Sequence, residues 1–377
     1  MNDWQAAAQQ ALVALWGTEV TCEITDTLRG EGRNRVYRLE VKQAPVSNVI
    51  LKASLDSEDN PYTVGDPGPW SAFQRFCNEW AGCQILGPLG LGPNAYTADV
   101  ERGFYLMEDL GDGESLADRL TGNSPEGVLE ALFAYARSLG ELHAATQGQD
   151  AHWQELQHKL GVKDARATGG SWQKDLTAFQ AICERHGVTI PTGFDLEMAR
   201  IEDVLINPGV YEVFSPTDCC PDNHFLRGER VCFFDCEGAT MRHALLDVAY
   251  LLAPFPTCWC TSRLPADLVQ RLITAYREHF PGGTDFDEQL TLALASWTIS
   301  TLTWDWAGNW EESDHTWGLV TLRQRHLHRL ENLLARPNLE TFLPNLAAVT
   351  RGLHETLKTR WADLEPMPPY PVFKPQA

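Results

Sequence analysis

The sequence predicts an α+β fold in two lobes, a small β-rich N-terminal lobe and a larger, mostly helical C-terminal lobe. Three observations predict it: strand-like runs around a glycine-rich turn cluster before residue 56, an acidic connector follows, and helical periodicity dominates the remainder. With 377 residues the chain has ample material for two apolar interiors. We place the N-terminal lobe at residues 1–107, the hinge at 108–114, the C-terminal lobe at 115–364 and a proline-rich tail at 365–377.

The composition limits the classes of partner. Hydrophobic residues make up 44% and charged residues 21% of the chain, as in ordinary globular proteins. The formal net charge is −21, which argues against nucleic-acid and anionic-membrane partners because both need a basic face. No apolar run reaches the ~18 residues of a membrane span, and the N-terminus lacks the basic start of a secretory signal. We therefore expect a cytoplasmic protein.

The N-terminal lobe is predicted element by element. The segment "MNDWQAAAQQALVALW" is typical of an amphipathic helix. The runs "TCEITDTL", "VYRLEV" and "NVILKAS" are typical of strands, with "RGEGRNR" as the turn between the first two. From Trp70 to Leu86 apolar residues recur every three or four positions, which predicts a helix, and Gly87 and Pro88 are typical stop signals. Phe104–Met107 has the pattern of a short buried strand.

The C-terminal lobe begins with a long predicted helix. Ser124 suits its N-cap and Pro125 its first helical position. Its apolar face is formed by Val128, Leu129, Leu132, Ala136, Leu139, Leu142 and His143. Helical patterns rich in Trp continue from about residue 243 to 360, and we expect the tail "EPMPPYPVFKPQA" to be extended over the surface.

Ten cysteines raise the question of disulfides or zinc. We expect free thiols, because a chain of this size needs no covalent staples and no secretory signal is present. Zinc is the alternative for Cys258 and Cys260, which flank one Trp. However, no second Cys or Cys/His pair stands at the spacing of a zinc finger.

Two features of the N-terminal lobe point to phosphate binding. Gly30 and Gly32 let backbone N–H groups approach a phosphate closely, although a plain surface turn is the simpler explanation of a glycine-rich hairpin alone. Lys52 lies inside an apolar strand and needs a partner, and Glu79 in the following helix is the natural one. The alternative is a strand-edge lysine whose ammonium group reaches water.

Two further features follow in the chain. The extended connector from Met107 to Leu110 offers main-chain hydrogen bonds to the edge of an adenine. The stretches "FSPTDCCPDNHFL" and "VCFFDCEG" place Asp218, Asn223 and Asp235 in a polar loop and at the end of a strand. Phosphoryl transfer needs hard oxygen ligands for Mg²⁺ and a carboxylate that orients or accepts the proton of the attacking hydroxyl. The three residues supply these groups, and the alternative is three ordinary polar residues of loops.

In this order the motifs resemble those of the aminoglycoside phosphotransferase and choline kinase-like family, which shares the protein-kinase-like fold. "RGEGRNRVYRL" resembles its glycine-rich hairpin, "VILKAS" its lysine strand, "NEWAGCQILGPLGLGP" its glutamate helix and "YLMEDLGDGESL" its hinge. "LGELHAAT" resembles the end of its long helix, and "DCCPDN" and "FFDCEGA" its catalytic and metal loops. "LLDVAYLL" resembles its closing segment, with Asp247 as a structural aspartate. The resemblance extends from about residue 20 to 252.

The resemblance implies an ATP- and Mg²⁺-dependent phosphotransferase. Its substrate would be a hydroxyl of a small molecule of the aminoglycoside, choline-like amine or sugar class. Asp218 would be the catalytic carboxylate, with Asn223 and Asp235 as the magnesium ligands. Lys52 would hold the α- and β-phosphates, oriented by Glu79. The other implied nucleotide contacts are Gly30, Gly32 and Asn34, and the backbone of Glu108 and Leu110.

One residue departs from the family pattern. The family usually has His two residues before the catalytic Asp, where this chain has Pro216. Because proline fixes φ and removes an N–H, we expect a differently shaped loop. The alternative function is therefore a catalytically degenerate kinase-fold protein that binds nucleotide or a metabolite without turnover.

The acceptor site is expected in the helical lobe. Residues 296–318 combine several Trp and acidic residues, and Trp faces beside carboxylates suit an amine or quaternary ammonium group. Core packing and a solvated loop explain the same pattern more simply. Trp259, within "PTCWCTS", is a second candidate wall. The candidate acceptor residues are Trp304, Asp305, Trp310 and Glu311.

Overall fold

The computed structural model describes residues 3–55, 62–122, 126–163, 172–304 and 308–374. Its N-terminal part is a five-stranded antiparallel sheet in the order β1-β2-β3-β5-β4. The three strands predicted before residue 56 are confirmed. The five strands are β1 (Thr21–Arg29), β2 (Asn34–Lys42), β3 (Asn48–Ser54), β4 (Ala95–Asp99) and β5 (Phe104–Glu108).

Strand β3 is the centre of this sheet. Its apolar, β-branched sequence "NVILKAS" is buried at every position after the first, because β2 and β5 flank it and helices cover the sheet. In this register Lys52 lies opposite Val36 on β2 and Tyr105 on β5. The strand therefore carries the Lys52 ammonium group into the interior rather than to a sheet edge.

Two helices belong to this part of the chain. Helix α1 (Asp3–Trp16) is the predicted amphipathic helix and buries Ala8 and Leu12 with the apolar residues of the sheet. Helix α2 (Ala72–Leu89) begins after Ser71, whose hydroxyl accepts the N–H of the third helical residue. Both predicted helices are present, and α1 ends at the predicted Trp16.

The predicted end of α2 is too early. The helix continues through Gly87 and Pro88, and it ends where Gly90 adopts a left-handed conformation with φ of 66°. Strand β4 follows and was not recognised in the sequence. Its five residues are all half-buried at the sheet edge, so they show no alternation between apolar and polar positions.

The C-terminal part is mostly helical, and the α+β fold class is confirmed. Short antiparallel ladders pair β6 (Glu212–Ser215) with β9 (Thr240–His243), β7 (His224–Arg227) with β8 (Arg230–Phe233), and β10 (Thr316–Trp317) with β11 (Val320–Thr321). One large apolar cluster packs the helices together. The helices are α3 (Leu116–Thr121), α4 (Val128–Thr146), α5 (Asp150–Lys159), α6 (Trp172–Arg185), α7 (Phe194–Ile206), α8 (Leu245–Leu252), α9 (Ala266–His279), α10 (Phe286–Thr303), α11 (Leu322–Leu334), α12 (Leu339–Phe342) and α13 (Pro344–Arg360).

The long predicted helix is α4. It begins after Gly127, whose φ is 74°, whereas the predicted cap residues Ser124 and Pro125 lie outside the described part of the chain. The predicted apolar face is buried apart from Leu129, which is 38% exposed. The predicted boundaries between lobes, hinge and tail remain predictions.

The described part of the proline-rich tail is anchored, contrary to expectation. Tyr370 is fully buried in the large apolar cluster. The Ser262 hydroxyl and the Arg263 N–H donate to the Pro368 carbonyl at 2.7 and 3.1 Å. The aromatic residue among the prolines therefore attaches the tail to the core. Among the described residues, no helix is both long and apolar enough to cross a bilayer.

The expectation of free thiols is wrong for one pair. Cys220, between β6 and β7, and Cys258, after α8, form a disulfide with their Cα atoms 5.6 Å apart. They are 38 residues apart in sequence and are brought together by the tertiary fold. Nothing in their spacing indicated this contact.

Candidate active site

The candidate site is centred on Lys52. Its ammonium group donates to Glu79 Oε2 at 2.7 Å and to Asp235 Oδ1 at 2.6 Å. Lys52 and Glu79 are 6% and 2% exposed, so this contact excludes the alternative of a lysine that reaches water. The predicted pair of Lys52 and Glu79 is present, and the structure adds Asp235 to it.

Lys52 and Asp235 each stabilise the charged form of the other. Burial alone would lower the pKa of Lys52, but Asp235 and Glu79 raise it overall, so the ammonium group stays charged. Burial opposes the ionisation of Asp235 as well, and the contact with Lys52 nevertheless lowers the pKa of its carboxyl group. Burial raises the pKa of Glu79, although Lys52 opposes the shift. Glu79 also accepts the Cys236 N–H at 3.0 Å, which ties α2 to the segment after β8.

Residues 216–223, here called the Asp218 loop, have a left-handed residue at their second position. Thr217 has φ of 66° although it is β-branched, and the Asp218 N–H donates to the Pro216 carbonyl at 2.9 Å. The Thr217 N–H donates to Ser215 Oγ at 2.9 Å, and the Thr217 carbonyl accepts from Arg242 at 3.2 Å. The loop is therefore held at the residue that precedes Asp218.

A fully buried aspartate supports this start of the loop. Asp247 accepts from Ser215 Oγ at 3.0 Å, from His143 Nε2 at 3.1 Å and from Arg242. Burial opposes its ionisation, but Arg242 and His143 lower the pKa of Asp247. His143 in turn contacts the Tyr276 hydroxyl at 2.7 Å. The interpretation of Asp247 as a structural residue agrees with these contacts.

Asp218 has the properties of a base that works near neutral pH. Asp218 is exposed to solvent. The protein atoms around its carboxyl group nevertheless remove part of the water that would hydrate the charged form. This desolvation, together with the negative charges of Asp235 and Asp222, raises the pKa of Asp218 to about 6. The charge of Asp235 therefore acts on the carboxyl group of Asp218.

Asn223 and Asp235 offer hard oxygen ligands. Asn223 Nδ2 donates to the Asp218 carbonyl at 3.2 Å, which leaves its Oδ1 as the oxygen for a cation. Asp235 has φ of 63°, a conformation that is unusual for a residue other than glycine. A carboxylate and an amide oxygen fit Mg²⁺, which prefers oxygen ligands.

The glycine-rich turn is connected to the segment after Asp235 by Glu237, a residue that the sequence analysis did not single out. Glu237 accepts hydrogen bonds from Arg33 of the turn and from Asn34 at 3.4 Å, and it forms an ion pair with Arg75 at 3.7 Å. Asn34 is buried and bonded in this way rather than open to a nucleotide. Gly30 and Gly32 are exposed, with φ of 79° at Gly32. The only sequence signal for Glu237 was its position two residues after Asp235.

Several groups of the predicted hinge already form hydrogen bonds within the protein. The Glu108 N–H donates to the Asn94 carbonyl at 2.8 Å, so a contact of this residue with adenine would use its carbonyl group. Arg38 of β2 donates to Asp109 at 2.8 Å and to Asp112 at 2.9 Å, which fixes the connector to the sheet. The hydrogen bonds described for the hinge do not involve the Leu110 N–H.

The candidate acceptor residues are mainly used for packing. Trp310 is 3% exposed, stacks on His186 and donates its Nε1–H to the Leu302 carbonyl. Glu311 pairs with Arg185 and His186. Asp305 lies outside the described residues, and Trp304 is half-buried. Trp304, Trp310 and Glu311 line one cavity of about 350 Å³ between α6 and α10. These contacts favour the simpler explanation of the Trp-rich pattern.

Two exposed Trp side chains lie beside the Asp218 loop. Trp259 is 42% exposed and donates to Asp222 Oδ2 at 2.7 Å. Trp70 is 59% exposed and lies against Gly238, where an added Cβ would come within 3.2 Å of its ring and 2.4 Å of Thr217 Oγ1. The weaker of the two predicted acceptor walls, Trp259, is thus the one in contact with the loop.

The α+β fold and this arrangement of lysine, carboxylates and amide agree with the predicted class of protein, the phosphotransferases. The sequence comparison identifies the family. A family model described as "Phosphotransferase enzyme family" matches residues 33–286, more than half of the chain. The chain belongs to this phosphotransferase enzyme family, known as APH. The predicted resemblance and the predicted enzyme class, a small-molecule phosphotransferase, are confirmed.

Solved structures similar to the chain include several kinases. A choline/ethanolamine kinase family protein from Mesorhizobium loti is 16% identical, with 93% of this chain and 99% of that chain covered and a TM-score of 0.47. An aminoglycoside phosphotransferase from Alicyclobacillus acidocaldarius is 12% identical, with 94% and 96% covered and a TM-score of 0.43. A macrolide 2'-phosphotransferase from Brachybacterium faecium is 16% identical, with 78% and 90% covered and a TM-score of 0.42.

Because these TM-scores lie below 0.5, the family assignment rests on the sequence match. No curated protein sequence matches the chain at a significant level.

Proposed function

We propose that the chain transfers the γ-phosphoryl group of ATP to a hydroxyl group of a small molecule, with Mg²⁺ as the cofactor. The observation that carries this proposal is the position of the Lys52 ammonium group between Glu79 and Asp235. Asp218 lies near enough for Asp235 to raise its pKa. Phosphate binding, metal binding and proton transfer would thus fall within one region.

The nucleotide is proposed to bind between the sheet and the Asp218 loop. Lys52 would turn from Asp235 to the α- and β-phosphates while Glu79 keeps it oriented. The turn around Gly30 and Gly32 would cover the phosphates with backbone N–H groups. The adenine edge would contact the Glu108 carbonyl and the Leu110 N–H, together with the neighbouring apolar residues of the sheet. Asn34 contributes by holding Glu237 beneath the turn.

The metal-binding role is proposed for Asn223 Oδ1 and the Asp235 carboxylate. When bound, Mg²⁺ would neutralise charge on the transferred phosphoryl group. Asp235 is already ionised, because the Lys52 contact lowers the pKa of its carboxyl group. The left-handed conformation of Asp235 fixes the direction of its side chain at the end of β8.

Asp218 is proposed to accept the proton of the acceptor hydroxyl. As that proton moves to the carboxylate, the hydroxyl oxygen bonds to the γ-phosphorus and the bond to the bridging oxygen of ADP breaks. Above a pH of about 6 the carboxylate is ionised and ready for this step. Ser215 and Arg242 hold Thr217 directly before Asp218 although Pro216 stands at the position of the usual histidine, and a loop held in this way favours turnover over mere nucleotide binding.

The acceptor is proposed to be an aminoglycoside, a choline-like amine or a sugar. The net charge of −21 favours acceptors that carry an amine, and Trp70 and Trp259 offer exposed aromatic faces beside the Asp218 loop. The cavity beside Trp304 is a second candidate position for the acceptor.

The test is ADP formation from ATP and Mg²⁺ with a panel of these acceptors, followed by mass spectrometry of the products. ATP hydrolysis, in which water replaces the acceptor, is measured alongside because it needs no knowledge of the acceptor. The proposal predicts a Mg²⁺-dependent rate that Asp218→Asn abolishes. An equal rate in Asp218→Asn would contradict it.

A further inference from the structure

Three cysteines and one aspartate converge beside the Asp218 loop. Cys220 and Asp222 belong to that loop, whereas Cys258 and Cys260 belong to the segment after α8. The ligand atoms of Cys220, Asp222 and Cys258 all lie within 4.8 Å of one another. Cys260 Sγ lies 3.0 Å from Cys258 Sγ and adds a fourth donor.

A disulfide explains only two of these four groups. With Cys220 and Cys258 bonded, Cys260 Sγ still lies 3.0 Å from Cys258 Sγ, and Asp222 Oδ1 lies 3.7 Å from it. Neither group has a part in a disulfide. Cys220, Asp222 and Cys258 offer three donor atoms within 4.8 Å of one another, and the Cys260 thiol lies beside Cys258 at the edge of this group. Ligands about 2.3 Å from a tetrahedral zinc ion lie roughly 4 Å apart, so the three atoms have a separation that suits zinc.

We propose that Cys220, Asp222, Cys258 and Cys260 bind one zinc ion when Cys220 and Cys258 are thiols. Reduction of the disulfide by a dithiol supplies two electrons and two protons and leaves two thiols. Zinc then replaces the protons of the coordinating thiols, which pass to solvent. Thiolate ligands favour zinc, whereas Mg²⁺ prefers an all-oxygen set.

The neighbouring residues are arranged as around a metal. Trp259 Nε1 donates to Asp222 Oδ2 at 2.7 Å, which directs Oδ1 towards the sulfur atoms. Arg325 donates to the Cys258 carbonyl at 2.8 Å and to the Trp259 carbonyl at 3.2 Å. Its positive charge therefore lies next to the turn and offsets the negative charge of thiolates and carboxylate.

The four proposed zinc ligands are held by the fold, and a zinc ion can reach them from the solvent. The three cysteines are buried, and the Cys258 N–H donates to the Phe255 carbonyl at 3.0 Å. Asp222 is half-buried and Trp259 is 42% exposed, so an ion can enter from this side. A bound ion would connect Cys220, two residues after Asp218, to the segment after α8. It would thus position the Asp218 loop without taking part in phosphoryl transfer.

Zinc content of the full chain tests the proposal. The protein is reduced with a phosphine, incubated with zinc, freed of excess metal and analysed by mass spectrometry. We expect one zinc per chain in the unsubstituted protein and in Cys183→Ser, a control whose thiol is equally buried but lies in α6. We expect none in Cys258→Ser. Equal zinc in Cys258→Ser, or none in the unsubstituted protein, overturns the proposal.

Two measurements remain decisive if Cys258→Ser does not fold. Cobalt(II) added to the reduced, unsubstituted protein should give the strong absorption of a tetrahedral thiolate site, and only the weak bands of cobalt bound to oxygen would overturn the proposal. Trp259→Phe removes the hydrogen bond to Asp222 at an exposed position. It should lower the zinc affinity by roughly 10- to 100-fold. An unchanged affinity would contradict the role of Asp222.

Discussion

The Ser215 hydroxyl donates a hydrogen bond of 3.0 Å to Oδ1 of Asp247, and both side chains are fully buried. Ser215 Oγ also accepts the Thr217 N–H at 2.9 Å, and Arg242 donates to both Asp247 and the Thr217 carbonyl. These bonds hold Thr217 in its left-handed conformation directly before Asp218. The loop is thereby fixed without the histidine that the family usually has at this point.

Ser215→Ala tests this support. Without the hydroxyl, the Thr217 N–H and the Asp247 carboxylate each lose a buried partner, which should lower the free energy of unfolding by about 1–3 kcal/mol. Displacement of Asp218 should also lower kcat, by up to about 100-fold for a shift near 1 Å. Denaturant titration and steady-state kinetics measure the two effects.

Ser138→Ala is the matched control for this change. Its hydroxyl is also buried and accepts a backbone N–H, that of Val231, at 3.1 Å, but it lies outside the Asp218 loop. We expect a similar loss of stability with an unchanged kcat. If both variants lower kcat alike, the support of Thr217 by Ser215 has no special role.

Asp218 should set the pH dependence of the reaction. Protein burial and the neighbouring carboxylates raise its pKa to about 6, and only the ionised form accepts a proton. The value of kcat/KM should therefore rise with pH to a plateau, with a midpoint of about 6. A pH profile of the ATP hydrolysis or acceptor reaction measures it. A rate that is constant from about pH 5 to pH 8 would rule out Asp218 as the base.

Lys52→Met should act through binding of the nucleotide phosphates. It removes the ammonium group that contacts Glu79 and Asp235, and loss of one preorganised charge in such a site lowers kcat on the order of 100-fold or more. Kinetics with varied ATP concentration measure the loss. The control is Lys42→Met, an exposed lysine of β2 whose ion pair is with Glu40. Equal losses in both variants would show a general charge effect.

Gly82→Ala tests the packing of α2 against the segment that carries Asp235. An added Cβ at Gly82 would lie 2.9 Å from Cys236 Cβ, so helix or segment must move. We expect a loss of about 1–3 kcal/mol in the free energy of unfolding, together with weaker Mg²⁺-dependent activity. Gly352→Ala in α13 is the control, because its Cβ would meet only the side chain of Val188, with methyl groups at 3.3 and 4.0 Å. A Gly82→Ala variant as stable and active as this control would contradict the prediction.

The pairing of Lys52 and Glu79 could be predicted because the physics is local. A charged residue inside an apolar strand needs a partner, and the next helix offers Glu79. The strands of the N-terminal lobe were equally evident, since β-branched residues flank a glycine-rich turn. The edge strand β4 lacks such a pattern, because all its residues are half-buried.

Other parts of the site depend on contacts that no spacing reveals. Glu237 is one acid among many in the sequence, and its role arises because the turn and α2 bring Arg33 and Arg75 to it. Trp310 stacks on His186, which precedes it by more than a hundred residues, so core packing and an acceptor wall could not be distinguished. Cys220 and Cys258 meet for the same reason, through the tertiary fold.

The proposed function depends above all on a nucleotide site that uses Mg²⁺ held by Asp235 and Asn223. Thermal unfolding with ATP or ADP, each with and without Mg²⁺, tests it most directly, in the unsubstituted protein and in Asp235→Asn. A ligand that binds only the folded state adds about 2.7 kcal/mol of stability at a hundred times its Kd. We predict a rise in Tm that depends on Mg²⁺ and is lost in Asp235→Asn. No rise with either nucleotide, or an equal rise in Asp235→Asn, would contradict the account.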